Sequence, residues 1–146
     1  MVRRVVSLFL VLLLTFVAVA ASGADEPQRK TIFYNVTTSD TWAAGMALGQ
    51  ASMALKNGYG VVVFLNVRGV YLAAKSHPQD TFSGTGKDAH EMLSGLIENG
   101  ARVVICPMCM KKAAIGESDL LPGVELGGPV VTFPLMTDDD TVVMSY

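Results

Sequence analysis

Two cysteines three positions apart, Cys106 and Cys109, are the residues of this 146-residue chain best suited to chemistry. They stand in Cys106-Pro107-Met108-Cys109, directly after the apolar run 101–105. That run reads as a buried strand, so the pair sits where a strand hands over to a helix. Proline fits the first helical position, because its missing N–H would go unpaired there anyway. Cys106 then takes the N-cap and Cys109 the first turn. Free amides and the positive end of the helix dipole favour a thiolate at both places. Lys111 and Lys112 add positive charge nearby and are candidates to stabilise an anion. Both thiols are therefore expected below the reference pKa of about 8.5. Thiolate is the form that attacks sulfur and disulfides and binds soft metals. The carboxyl ends of parallel strands are also where open α/β sheets place ligands.

Other chemistries compete for the same residues. Free cysteine is among the most buried residue types, so an inert thiol pair or a structural disulfide is the plain alternative. Met108 and Met110 interleave with the thiols, and sulfur ligands suit Cu(I). A closed zinc site lacks two ligands, which His77 and His90 would have to supply across the fold. His90 lies beside Glu91 and Ser94 and reads as a surface histidine. No metal and no cofactor is expected. The stretch Ser83-Gly84-Thr85-Gly86-Lys87-Asp88 hints at a phosphate loop but fails it. The first glycine would fall at Thr81, and Asp88 replaces the required Ser or Thr. Asp138-Asp139-Asp140 reads as a solvated turn, and Met46, Met53 and Met92 as core filler at helical spacing.

The elements that must hold the cysteines follow from periodicity. Residues 31–37 (TIFYNVT) form a β-branched and aromatic first strand. Asn35-Val36-Thr37 spells a glycosylation sequon, discounted because it lies inside that strand. Ser39 or Asp40 caps a helix over Thr41–Lys56, stopped by Asn57-Gly58. Trp42, Met46 and Met53 line one stripe of it, and Ala44, Leu48, Ala51 and Leu55 another. Such a broad apolar arc can cover a sheet and still meet another subunit. Residues 60–67 (GVVVFLNV) read as a strand buried on both faces. Residues 87–99 form an amphipathic helix ended by Gly100 in a left-handed cap. A third strand spans 101–105, a short helix 107–115 closed by Gly116, and a short strand Val124–Leu126. Residues 128–137 are ambiguous: propensity alone favours a strand over 130–133, but Pro129 and Pro134 interrupt it. A last strand spans 141–146. Backbone of 58–70 and 81–86 is expected to wall the thiol pocket.

At 51% hydrophobic and 16% charged residues, the chain has ample apolar material for a core, which excludes disorder. Arg3 and Arg4, the apolar run 5–20 and Ser22-Gly23-Ala24 read as an export signal over 1–24. Cleavage would leave one domain, 25–146, without stable membrane insertion. It would also take the net charge from −2 to −4 by removing two arginines. A mildly acidic domain without a basic run is a poor nucleic-acid binder. In a bacterium the destination is the periplasm, which is oxidising for thiols.

The succession TIFYNVTTSD, an Ala-rich helix, NGYGVVVFLNVRGV, MLSGLIENGARVVICPMCM, DLLPGV and DDTVVMSY resembles the DsrE/DsrF-like family. These are small α/β proteins of sulfur metabolism, some described as peroxiredoxin-like. The resemblance covers 31–146. It implies a three-layer α/β/α fold of flavodoxin-like architecture with a five-stranded, mainly parallel sheet. It implies homo-oligomers, a short helix over 128–137, and a post-strand cysteine that carries persulfide sulfur. On this chain that cysteine is Cys106 or Cys109. Family members often place arginine-glycine shortly after the cysteine, where this chain has Lys111-Lys112 and a later Gly116. The expected function is an exported sulfur handler exchanging sulfane sulfur with donor and acceptor proteins or small sulfane compounds. The rivals are a thiol–disulfide or peroxide redox protein and a non-enzymatic copper- or partner-binding module.

Overall fold

A computed structural model describes residues 30–146. The export signal expected over 1–24 lies outside the described residues. Five strands carry the fold: β1 (Thr31–Val36), β2 (Gly60–Leu65), β3 (Arg102–Ile105), β4 (Val124–Leu126) and β5 (Thr141–Ser145). The helices are α1 (Thr41–Lys56), α2 (Ala89–Glu98), α3 (Pro107–Lys112) and α4 (Pro129–Thr137), with 3-10 turns at Val67–Ala73 and Glu117–Asp119. The strand order is β4-β3-β2-β1-β5, and every pairing is parallel. Parallel neighbours need crossover connections, which here place helices on both faces. Among the described residues no helix is long and apolar enough to cross a membrane.

The larger core lies on one face. Tyr34, Val36, Val61, Val63, Leu65, Val103 and Ile105 meet Ala47, Leu48 and Ala51 of α1 and Leu93 and Leu96 of α2. Burial of each Val or Leu contributes about 1.5–3 kcal/mol, so this face dominates stability. Asp40 caps α1 by accepting from the Ala43 amide at 2.9 Å. Asp88 and Glu91 form a reciprocal capping box on α2, which starts it two residues later than its pattern predicts. The small residues of α1 bring it close to the sheet, and only their stripe faces inward. Trp42, Met46 and Met53 are left 77%, 42% and 58% exposed, which corrects the reading of the two methionines as core filler. Met92 is buried as expected.

The second face is thinner. Phe33, Val62 and Val104, with Phe64 beside them, pack against Val131, Leu135 and Met136 of α4. The ambiguous stretch 128–137, extended by propensity at 130–133, is helical over Pro129–Thr137 because of where the chain must go. β4 and β5 are opposite edges of the sheet, about 19 Å apart at the usual strand spacing. The connection has to cross the whole face and bury it on the way. Pro129 starts that helix at a position proline favours, while Pro134 lies within it. Val130 and Phe133 point outward, 89% and 62% exposed.

Candidate functional site

The site is assembled from two sides. On one, β3 runs into Cys106, whose amide still donates to Leu65 O of β2 at 2.9 Å. Its backbone is extended (φ −76°, ψ 111°), and Pro107 then opens α3. The Cys106 sulfur caps the helix by accepting from the Cys109 amide at 3.4 Å. Buried Met110 anchors α3 in the larger core. The helix ends at Lys112 rather than at 115, because the chain already turns left-handed at Ala114 (φ 55°), before Gly116.

On the other side, β2 stops at Leu65, two residues short of its apolar pattern. The Asn66 amide continues the ladder to Val36 O at 3.1 Å. The Asn66 carboxamide donates to Asn35, and Asn35 donates to Ser145 at 3.2 Å. Val67 then turns left-handed (φ 49°), and its amide donates to the Cys109 sulfur at 3.1 Å. Arg68 returns to the sheet by donating to Thr37 O at 3.0 Å.

Both thiols are free and half-buried. Burial pushes the Cys109 thiol up, and its hydrogen bond to the Cys106 sulfur pushes it further. The Val67 amide pulls it back, while negative charge on Cys106 raises it again. For Cys109 this corrects the expected depression: desolvation outweighs the amides.

Lys111 and Lys112 are exposed in the last turn of α3, where they complement the negative end of its dipole. Lys112, three positions after Cys109, shares its helix face; Lys111, two positions on, does not. Among the described residues neither forms an ion pair.

Phe82, in the loop 81–86, joins the α1–α2 side of the core and lies against Gly45. His77 stacks on Tyr71 at 4.5 Å, and the half-buried His90 ring bonds to Ala74 O at 3.0 Å. Among the described residues no three potential ligands gather for a metal. Two contributors escape a reading by residue type. Valine carries no mark of an amide donor, and Asn66 looks like the end of a strand. The one clue is Gly69, where an added Cβ would overlap Val36 O.

Comparison with known proteins bears on this geometry. The model of the DsrE/DsrF-like family matches residues 28–144. The uncharacterized protein MJ0989 of Methanocaldococcus jannaschii is 34% identical over 98 residues, 66% of this chain and 82% of that one. The uncharacterized protein MK0008 of Methanopyrus kandleri is 38% identical over 80 residues, 55% of this chain and 63% of that one. Two solved structures share the fold. MTH1491 of Methanobacterium thermoautotrophicum, a protein of unknown function, superposes with a TM-score of 0.66 at 12% identity, over 80% of this chain and 99% of that one. The ychN protein of E. coli superposes with a TM-score of 0.62 at 17% identity, over 81% and 99%.

Proposed function

Because the chain belongs to the DsrE/DsrF-like family, we propose that it is an exported, homo-oligomeric sulfur handler that holds sulfane sulfur as a cysteine persulfide. One observation carries the reading: each sulfur of the pair accepts a backbone amide, Cys106 from Cys109 and Cys109 from Val67. Such donors suit sulfur in its anionic, reactive form.

Cys106 is the attacking sulfur. Its thiolate displaces the leaving group of a sulfane donor, forms a bond to the transferred sulfur and becomes a persulfide. The donor leaves with the electron pair of the broken bond. Two exits follow. An acceptor thiolate can attack the outer sulfur, which regenerates the Cys106 thiolate and moves the persulfide to the acceptor. Alternatively, the Cys109 thiolate attacks the inner sulfur, releases hydrosulfide and leaves a Cys106–Cys109 disulfide. That second exit oxidises the dithiol as it reduces the sulfane sulfur, so an external thiol must reset the pair. The elevated Cys109 pKa favours the first exit near neutrality, because the resolving thiolate is scarce.

Intact-mass analysis after incubation with a polysulfide tests the proposal. The expected product is one added sulfur on the wild type and on Cys109→Ser, and none on Cys106→Ser. No adduct on reduced Cys109→Ser, in which the disulfide exit is closed, would end the proposal. Rapid disulfide cycling with peroxide, without any adduct, would favour the redox alternative.

A further inference from the structure

Cys109 sits at a second oddity of the molecule. Val67 is a β-branched residue in left-handed backbone, a genuine outlier for its type. Its side chain is 61% exposed, so packing of the isopropyl group does not explain the conformation. The neighbours do. Asn66 N–H is fixed on Val36 O, Arg68 N–H on Thr37 O, and Gly69 N–H on Asn66 O at 2.8 Å. The Asn66 side chain is tied through Asn35 to Ser145 on a third strand. Gly69 lies so close to Val36 that only a residue without a Cβ fits. Between these clamps the Val67 amide has one acceptor, the Cys109 sulfur, in the shorter of the two amide–sulfur approaches. Backbone strain that persists because its surroundings over-determine it marks functional sites.

We infer that the Val67 backbone amide is the built-in donor that holds the Cys109 sulfur as an anion during the resolving step, with the 66–69 turn strained to aim it. The inference rests on the resolving role proposed for Cys109. The amide does not change the electron count of that step. It donates a hydrogen bond to the Cys109 thiolate that then attacks the inner sulfur of the Cys106 persulfide, and the negative charge leaves with hydrosulfide. A donor fixed beforehand costs no reorganisation when the charge appears. Cys106, Lys111 and Lys112 on the α3 segment, and Arg68 and Tyr71 on the 3-10 turn, are the other charged or titratable groups where these segments meet.

The test uses the full chain in a Cys106→Ser background and reads the pH midpoint of Cys109 alkylation. Replacing Val67 with its α-hydroxy analogue turns the amide into an ester, which deletes the N–H and also weakens Asn66 O as the acceptor of Gly69 N–H. The expected result is a midpoint raised by about one pH unit, or about tenfold less thiolate at neutral pH. Val67→Gly keeps the N–H and tolerates the left-handed angle, so the midpoint stays while the urea midpoint of unfolding rises. Should the ester protein fail to fold, NMR of the unaltered backbone answers the same question. The Val67 amide proton is expected to move downfield with the Cys109 midpoint. An unshifted ester midpoint, a glycine variant that shifts as far as the ester, or an amide proton blind to Cys109 would each overturn the inference. Sulfur loading of reduced Cys109→Ser is scored separately. Its absence, with the ester shift intact, removes the sulfur-handling role and leaves the amide–thiolate contact standing.

Discussion

Gly69→Ala joins the stability of the fold to the reactivity of the site. The added methyl would overlap Val36 O and lie 3.1 Å from Val36 C. Both are backbone atoms of β1, which is paired on both edges and has no room to retreat. Carbon contacts settle near 3.5–4.0 Å, so the 66–69 turn must move by about an ångström. Overpacking of this kind costs about 1–3 kcal/mol. The shift also stretches the Asn66–Val36 and Arg68–Thr37 bonds, now 3.1 and 3.0 Å, each contributing about 0.5–1.5 kcal/mol. The expected loss is about 2–4 kcal/mol, or about 8–16 °C in Tm for a domain of this size. Urea unfolding followed by far-UV circular dichroism measures it. Fluorescence is the poorer probe, because the single tryptophan, Trp42, is already 77% exposed in the folded state. As the turn moves it carries the Val67 amide off the Cys109 sulfur, so alkylation of Cys109 slows at fixed pH. A loss under about 0.5 kcal/mol, with Cys109 reactivity unchanged, would refute the reasoning from steric clash to site geometry.

Three further outcomes follow from the same structure. Gly49 and Gly95 lie inside α1 and α2, and a methyl group added at either would meet nothing within 4 Å, so alanine at each position is expected to raise stability by about 0.5–1 kcal/mol; a lower Tm for both would contradict this. The Arg102–Glu125 pair on β3 and β4 is 43% and 45% exposed, so Glu125→Gln is expected to cost no more than about 0.5 kcal/mol at neutral pH. Arg102 holds the Glu125 carboxyl below its ordinary value, so that contribution is complete above the ordinary value and fades as pH falls through the lowered one. Wild type and variant should therefore converge in acid, and a gap that widens there would be inconsistent. Burial raises the Cys109 thiol above its ordinary value, so stability tied to its protonated form is present below that value and lost as pH rises through the raised one. Relative to Cys109→Ser, the reduced wild type should lose stability in alkali by chemical denaturation; a parallel pH profile would sink that expectation.

The alternation of strands and helices is legible in the sequence because two-sided burial leaves continuous runs such as Val61-Val62-Val63, and because Asn57-Gly58 and Gly100 stop helices at left-handed positions. The N-cap placement of Cys106 is legible too, since Pro107 can occupy only a few helical positions. What local pattern cannot carry is tertiary. The helix over Pro129–Thr137 exists because β4 and β5 lie at opposite edges, a fact no window of ten residues contains. The outward face of α1 escapes pattern reading because Met46 and Met53 fit a buried stripe as well as an exposed one. At the site, the residue types announce the sulfurs but not their electrostatics. Burial of Cys109 outweighs the amides around it, and one of those amides belongs to a valine forty-two positions away.

The strand order has a last consequence. Successive crossovers lead from β1 outward to β4, and β5 then returns to the far side of β1, so the chain reverses direction between β1 and β5. Open sheets of this kind ordinarily part there and admit a ligand. Here the gap is laced: Asn35 to Ser145, the Thr37 hydroxyl and amide to Tyr146 O, and the Tyr146 phenol to Gln50 on α1. A nucleotide-sized molecule would have to unpick that lacing to enter. The sulfurs stand two strands away on the rim, beside a Met108 that is 80% exposed. A thiol offered by a small molecule or on a neighbouring polypeptide can reach them without displacing any strand.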